Sequence, residues 1–361
     1  MKTFRKNEAG SALVVGIFSI TTLLAFLGLA MDVGNLVYTK TVMQNAVDAA
    51  AYAGGLAYDG TQNTYSVATA SATNFLHKNG FPSVTPTVTF TQDATKNPQN
   101  YPEINVSLTQ TVSTFFINVL GIPTVTLKAS AEAVCFSPFN FTLFQGNKSD
   151  TLTLMGLALV EGNMHSNNKM LIEGLAAIEG NVEAVNGVTT EGFAWISGTT
   201  NNNASSMNMP DLSSQVATTV SNTYSGDKTF SGTDIINGSI YVKGNLTING
   251  ATVDLNGAIM ADGNITINGI TIVSGNQVAL YSRNGDITVE GLTAAGWGDS
   301  SAGSLIYAPN GTVHMSGISL VHGRIVANAL DLDWLGLYYG NYPITSLTSG
   351  TTLSSHVKLI N

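Results

Sequence analysis

Gly244-Asn245-Leu246-Thr247-Ile248-Asn249-Gly250, Gly263-Asn264-Ile265-Thr266-Ile267-Asn268-Gly269, Gly285-Asp286-Ile287-Thr288-Val289-Glu290-Gly291 and Gly311-Thr312-Val313-His314-Met315-Ser316-Gly317 are four versions of one heptapeptide. Each reads Gly, polar, aliphatic, Thr or His, apolar, polar, Gly. Their starts lie 19, 22 and 26 residues apart, about the length of chain in one coil of a right-handed parallel β-helix. Alternate aliphatic residues would point into the shaft and the glycines would mark corners. Between the repeats, 258–261, 277–281 and 304–307 are strand-like pieces suited to a second sheet of the same solenoid. The competing reading is a Gly-rich antiparallel sandwich.

A looser set precedes these: Leu157 to Asn163, Met170 to Gly174 and Ala177 to Asn181. It starts the coils near residue 150. Residues 199–231, rich in Asn, Ser and Thr and holding Pro210, interrupt them as a loop excursion. The aromatic run Trp334 to Tyr342 is the candidate cap over an end strand. Asn245 with Asn264, and Asn249 with Asn268, are expected to form side-chain ladders between coils.

Composition narrows the class. Only 10% of residues are charged, well below the roughly 25% of ordinary soluble domains. Three of the fourteen basic residues, Lys2, Arg5 and Lys6, sit at the N-terminus. No basic stripe remains for phosphates, so nucleic acid is not an expected partner. The single cysteine, Cys135, excludes an intrachain disulfide and leaves a buried thiol or an interchain bridge.

From Ala9 to Met31 no residue is charged. The stretch is long enough to cross a bilayer, so residues 9–31 are the expected lipid contact. Lys2, Arg5 and Lys6 before it and Asp32 after it put the N-terminus in the cytoplasm and the rest outside. A cleaved secretory signal is the alternative, with Gly28-Leu29-Ala30 as the small residues at the cut. The apolar stripe Val33, Leu36, Val37, Met43, Val47, Ala50, Ala53 continues the helix to about Tyr58. Gln44 and Asp48 lie four apart on its alanine-lined part, which serves either helix packing or a solvated face.

Asn7-Glu8-Ala9-Gly10-Ser11-Ala12, the span ending Gly28-Leu29-Ala30-Met31-Asp32-Val33-Gly34-Asn35-Leu36, and Met43-Gln44-Asn45-Ala46-Val47-Asp48-Ala49-Ala50-Ala51-Tyr52-Ala53-Gly54 together resemble the N-terminal signature of TadE/TadG-like proteins of Flp (Tad) pilus assembly. Prepilins of the broader group are cut after a Gly and carry Glu five residues later. Val15 stands at that place after Gly10, which favours a retained anchor. The resemblance implies pilus-machinery or envelope partners, with the alanine-rich continuation as the surface that meets them.

Between the anchor and the repeats, 66–79 has helical spacing, and 84–91, 103–109 and 124–131 alternate as strands. Residues 112–121 read as a short helix. Its Phe-Phe pair before an alanine-alternating strand again resembles the TadG-like order. The division is therefore 1–58 anchor and amphipathic helix, 59–136 small α+β domain, and 137–361 solenoid.

Chemistry on the solenoid would need a carboxylate pair or a metal-held acid cluster. Glu161, Glu173 and Glu179 are candidates for alignment on one face, although each precedes a Gly where a solvated carboxylate is at home. His314 and His322, eight apart, do not have the usual helical ligand spacing and read as surface or ladder residues. No hydrolase elbow, phosphate loop or zinc-protease helix occurs. The expectation is a non-enzymatic protein without catalytic residues, metal or cofactor: a single-pass bacterial envelope protein whose solenoid offers a neutral face to proteins or glycans. The alternative is an exported carbohydrate-binding or carbohydrate-cleaving β-helix.

Overall fold

The computed structural model describes residues 8–58, 65–91, 101–209, 212, 220, 222–232, 238–256, 258–274, 278–295, 303–333, 335–340 and 356–360. The described fold has one long apolar helix, a short helix, a small antiparallel sheet and a parallel β-solenoid. The basic residues Lys2, Arg5 and Lys6 lie outside the described residues.

The chain divides into two compact units. The first comprises residues 1–92, 102–135 and 357–361. Its long helix, α1, runs Glu8–Leu56, and the periodic stripe read from the sequence continues through it without a break at Asp32. Helix α2 spans Tyr65–Lys78. Three strands follow: β1 (Thr87–Thr91), β2 (Glu103–Ser113) and β3 (Thr124–Phe136). All three pair antiparallel in order, and the C-terminal strand His356–Ile360 adds on beside β3. The 112–121 helix shrinks to a single 3-10 turn, Ile117–Leu120, because β2 extends to Ser113 and takes the first residues into the hairpin.

The alanine block of α1 is not left for a partner. Met43, Ala46, Val47, Ala50 and Ala51 share a buried core with Ala68, Ala72 and Leu76 of α2 and with Ile104, Val106, Ala131 and Ala133 of the sheet. Small side chains let the elements approach closely. A Cβ on Gly54 would sit 2.6 Å from Ile104 Cδ1 and 3.1 Å from Ala72 Cβ. Gln44 Nε2 donates to Asp48 Oδ1 and to the Ser130 carbonyl, each at 2.9 Å, which ties the helix to β3. The expected partner-facing surface is therefore internal to this unit.

The second unit, residues 93–101 and 136–356, is the solenoid. It has about eight turns, each with a long rung in one sheet and a short rung in another. The heptapeptides stack as read: Leu246 over Ile265, Ile265 over Ile287, Ile287 over Val313. Leu246, Ile248, Ile265, Ile267, Ile287, Val289, Val313 and Met315 all point into the shaft and are buried.

Stacking order departs from chain order. The first rungs build outward from 151–161 to 169–179 to 188–196. The chain then restarts at the opposite end with 222–224 and 228–231, and stacks back through 246–256, 265–274, 287–295 and 313–321. The last rung, Leu335–Tyr339, lies between Ile318–His322 on one side and Leu157–Glu161 on the other. In the second sheet Ile325–Ala327 pairs with Leu143–Gln145. The 199–231 excursion is therefore shorter than read, since Thr200–Asn201, Asn222–Tyr224 and Lys228–Ser231 are themselves rungs, and the strap that carries the chain from one end of the stack to the other is the stretch between Asn201 and Asn222. About eight turns at roughly 4.8 Å each place the ends about 38 Å apart, and the chain between Asn201 and Asn222 can span roughly 66 Å. Met207 fastens it: its N–H donates to Asn167 Oδ1 at 2.8 Å and its carbonyl accepts from Asn167 Nδ2 at 2.6 Å.

This order corrects the cap assignment. The 335–339 part of the aromatic run is an interior rung with neighbours on both sides, and Tyr338 is buried in the core. Trp334 and residues 341–342 lie outside the described residues.

The asparagine ladders are present in two forms. Asn268 Nδ2 donates to Asn249 Oδ1 at 2.8 Å, side chain to side chain. At the corner, each coil's side-chain oxygen accepts the next coil's backbone N–H: Asp227 from Asn245, Asn245 from Asn264, Asn264 from Asp286 and Asp286 from Thr312, at 2.7–2.9 Å. The closing glycines also stack. Gly269 and Gly291 are in register at φ +120°, and a Cβ on Gly291 would lie under 3.0 Å from the Gly269 carbonyl oxygen.

Candidate membrane interface and solenoid surfaces

Helix α1 contains the one described segment long and apolar enough to cross a membrane, by length and composition. Phe18, Leu24, Phe26 and Leu29 are exposed along it. Two of its polar side chains there bond locally, as hydrocarbon favours: Thr21 and Thr22 donate to the carbonyls of Ile17 and Phe18.

At the end of this segment Asp32 is only 2% exposed. Its carboxylate accepts three backbone N–H groups from the β2–β3 tip: Phe115 at 3.0 Å, Phe116 at 2.7 Å and Ile117 at 2.7 Å. Successive amides converging on one carboxylate form an anion nest at the start of the 3-10 turn. Thr114 closes the tip by donating to the Ile122 carbonyl, and Gly121, at φ +84°, turns the chain back. Phe116 packs closely against Gly28, where a Cβ would come 2.9 Å from Phe116 Cβ. Gly28, one of the small residues that suggested a cleavage site, thus has a packing role. Phe116, Ile117, Val119 and Leu120 line a groove of about 680 Å³ with Phe18, Thr21, Thr22, Leu24 and Leu29 of α1. Sequence reading passed over this site; its traces were Asp32 directly after the span and the uncharged chain between Glu103 and Lys128.

On the solenoid, Glu161 and Glu179 occupy one register column, but Glu173 pairs with Glu191 in a different one. The three expected carboxylates are not aligned, because Glu173 precedes the corner glycine within its rung and the other two end theirs. His314 Nδ1 lies 2.9 Å from Asp331 Oδ2, and with Asp333 these offer donor atoms within 4.8 Å of one another. The direct His314–Asp331 contact already pairs two of the three. His322 packs edge-on against Tyr339, centroids 4.9 Å apart, as a ladder residue.

A second feature is apolar. Leu335, Leu157, Leu175 and Phe193 follow one another rung to rung, facing outward. With Leu159, Trp195 and Leu337 they line a shallow groove, and Phe193 is 82% exposed. The solenoid, expected to offer a neutral face, thus carries an apolar stripe.

Buried in the same unit, His165 Nδ1 lies 2.6 Å from Glu183 Oε1, and its Nε2 lies 3.0 Å from Asn167 Oδ1. The Asn167 amide nitrogen is committed to the Gly146 and Met207 carbonyls, so its oxygen faces the ring. Phe144 stacks on His165 at 5.1 Å.

Comparisons with curated proteins and with solved structures gave no match. The match to a family falls on the long helix: residues 10–60, from the start of the apolar segment through Asp32 and the alanine block, are similar to the family model described as putative Flp pilus-assembly TadE/G-like.

Proposed function

We propose that the protein is a non-enzymatic, membrane-anchored component or accessory of Flp/Tad-type pilus assembly or a related envelope structure, with residues after 31 outside the cytoplasm and the solenoid as its contact surface. The observation that carries this reading is the TadE/G-like match over 10–60, which coincides with an apolar helix able to span a bilayer. Orientation follows from Lys2, Arg5 and Lys6 before the span against Asp32 after it. The apolar stripe through Leu157, Leu175 and Phe193 suits a protein contact, since monomers seldom leave such surface uncovered.

One observation favours the carbohydrate reading. Phe193 and Trp195 sit two residues apart and exposed on one rung, roughly 6.6 Å along the strand, as platforms on which sugar rings could stack. Cell fractionation with mass spectrometry of the mature N-terminus separates the readings. An intact N-terminus in the membrane fraction, with the solenoid digested by protease added to spheroplasts, supports the anchored assembly role. A soluble product beginning near Met31 refutes it and leaves the secreted carbohydrate-active alternative.

A further inference from the structure

We propose that the β2–β3 tip, residues 114–122, is a second membrane-inserted element that enters the same leaflet as the outer half of the α1 span and is latched to the helix by Asp32. The inference rests on α1 spanning the membrane.

Chemistry at the tip is that of a lipid contact. Phe115, Val119 and Leu120 are exposed, Val119 by 86%, and no charged residue occurs between Glu103 and Lys128. An aqueous loop would not be expected to present this surface. The tip's position names the occupant. It lies against α1 positions Phe18 to Leu29, on the span side of Asp32. At about 1.5 Å per residue, Thr21 is roughly 16 Å below Asp32 along the axis, close to the thickness of one leaflet of a roughly 30 Å hydrocarbon core. Groups lining the groove from the helix are already facing acyl chains, so the exposed tip residues are continuous with a lipid-facing surface.

Backbone at that depth must be satisfied within the protein. Six amides of the tip are met in this way: those of Phe115, Phe116 and Ile117 go to Asp32, that of Thr114 to the Pro123 carbonyl, and those of Val119 and Gly121 to the Phe116 and Asn118 carbonyls. Asp32 in turn is a carboxylate beside hydrocarbon whose charge is met by three donors. A hairpin and a helix thus enter the leaflet as one pre-assembled wedge, which gives the anchor a fixed rotation about its axis.

The test uses the full chain in lipid nanodiscs with a bimane label at Val119→Cys, and separately at Leu24→Cys and Ser149→Cys. Native Cys135 is buried and should not label. The expected result is that lipids brominated along the acyl chain quench the Val119 label at least half as strongly as the Leu24 label, while iodide quenches only the Ser149 label. If Leu24 is quenched by bromolipid but Val119 is quenched by iodide, the tip lies in water and the inference fails while the anchor stands. If neither quencher reaches Val119 and unlabelled Val119→Cys copies form a disulfide with each other under mild oxidation, a second copy covers the tip and the inference again fails. If Leu24 itself escapes bromolipid, the anchored reading and the inference fall together.

Discussion

Replacing Gly291 by Ala should weaken the solenoid by an amount that two companion glycines separate into parts. Gly226 has open space around its Cβ position and no left-handed backbone, so Gly226→Ala meets neither obstacle and should change stability by less than about 0.5 kcal/mol. Gly187 has φ +102° but also open space; Gly187→Ala isolates the backbone strain, about 1–3 kcal/mol. Gly291 has both: φ +120°, and a Cβ that would fall under 3.0 Å from the Gly269 carbonyl. Ordinary contact begins near 3.4 Å, so neighbouring rungs must part, breaking the register that holds Ile287 over Ile265. Overpacking of this kind adds about 1–3 kcal/mol, for a total of roughly 2–6 kcal/mol. Guanidinium unfolding of the detergent-solubilised full chain, followed by far-ultraviolet circular dichroism, measures all three. If Gly291→Ala costs no more than Gly187→Ala, the argument from coil spacing is wrong.

Asp32→Ala removes the acceptor for three amides of the tip, each left group costing about 1–3 kcal/mol; hydrogen exchange at Phe115–Ile117 should accelerate at least about tenfold, and unchanged exchange refutes the latch. Burial pushes the Cys135 thiol up from 9.0 to about 12. Its contribution to stability is full below the ordinary thiol pKa and is lost as pH rises from there toward the folded value, and maleimide should modify it only after unfolding; ready labelling of the native chain at neutral pH would contradict this. His165→Leu removes one partner of Glu183 in the interior, leaving it the Tyr101 hydroxyl, and should destabilise the solenoid by about 1–3 kcal/mol, whereas adding Glu183→Gln should recover part of that loss in the same unfolding assay.

The coils were legible because a heptapeptide with aliphatic residues at its third and fifth places has one sensible burial, inward, and closing glycines mark the corners. Their order was not. Every rung presents a similar apolar pattern to its neighbour, so the sequence of 157–161 does not say whether it meets 175–179 alone or Leu335–Tyr339 as well. That choice is made by the strap length and by the pin at Asn167 and Met207, which are contacts between residues forty apart. The alanine block was read as a surface because its own cover, α2 and β2, lies later in the chain. Asp32 was read as a topological marker for the same reason: the amides that it accepts belong to a tip 83–85 residues away, and no local pattern announces a carboxylate whose partners are backbone. The apolar stripe was missed since Leu157, Leu175 and Phe193 each look like an isolated strand residue until register places them in a row.

The interlocked order of the rungs gives the solenoid no loose end to pull. An ordinary coil stack frays from its terminal turn, giving up one rung at a time. Here the two outermost rungs are joined to each other through the strap, and the first and last strands of the solenoid, Leu143–Gln145 and Leu335–Tyr339, both lie inside the stack. Tension applied at the two ends of the solenoid segment reaches these strands first, and each is held by neighbours on both flanks. They must slide past those neighbours with their hydrogen bonds loaded together, so the domain should yield abruptly at high force and hold firm below it. The same arrangement taxes folding: the edge of 151–161 stays open until the last rung arrives, a long-range closure that is intrinsically slow.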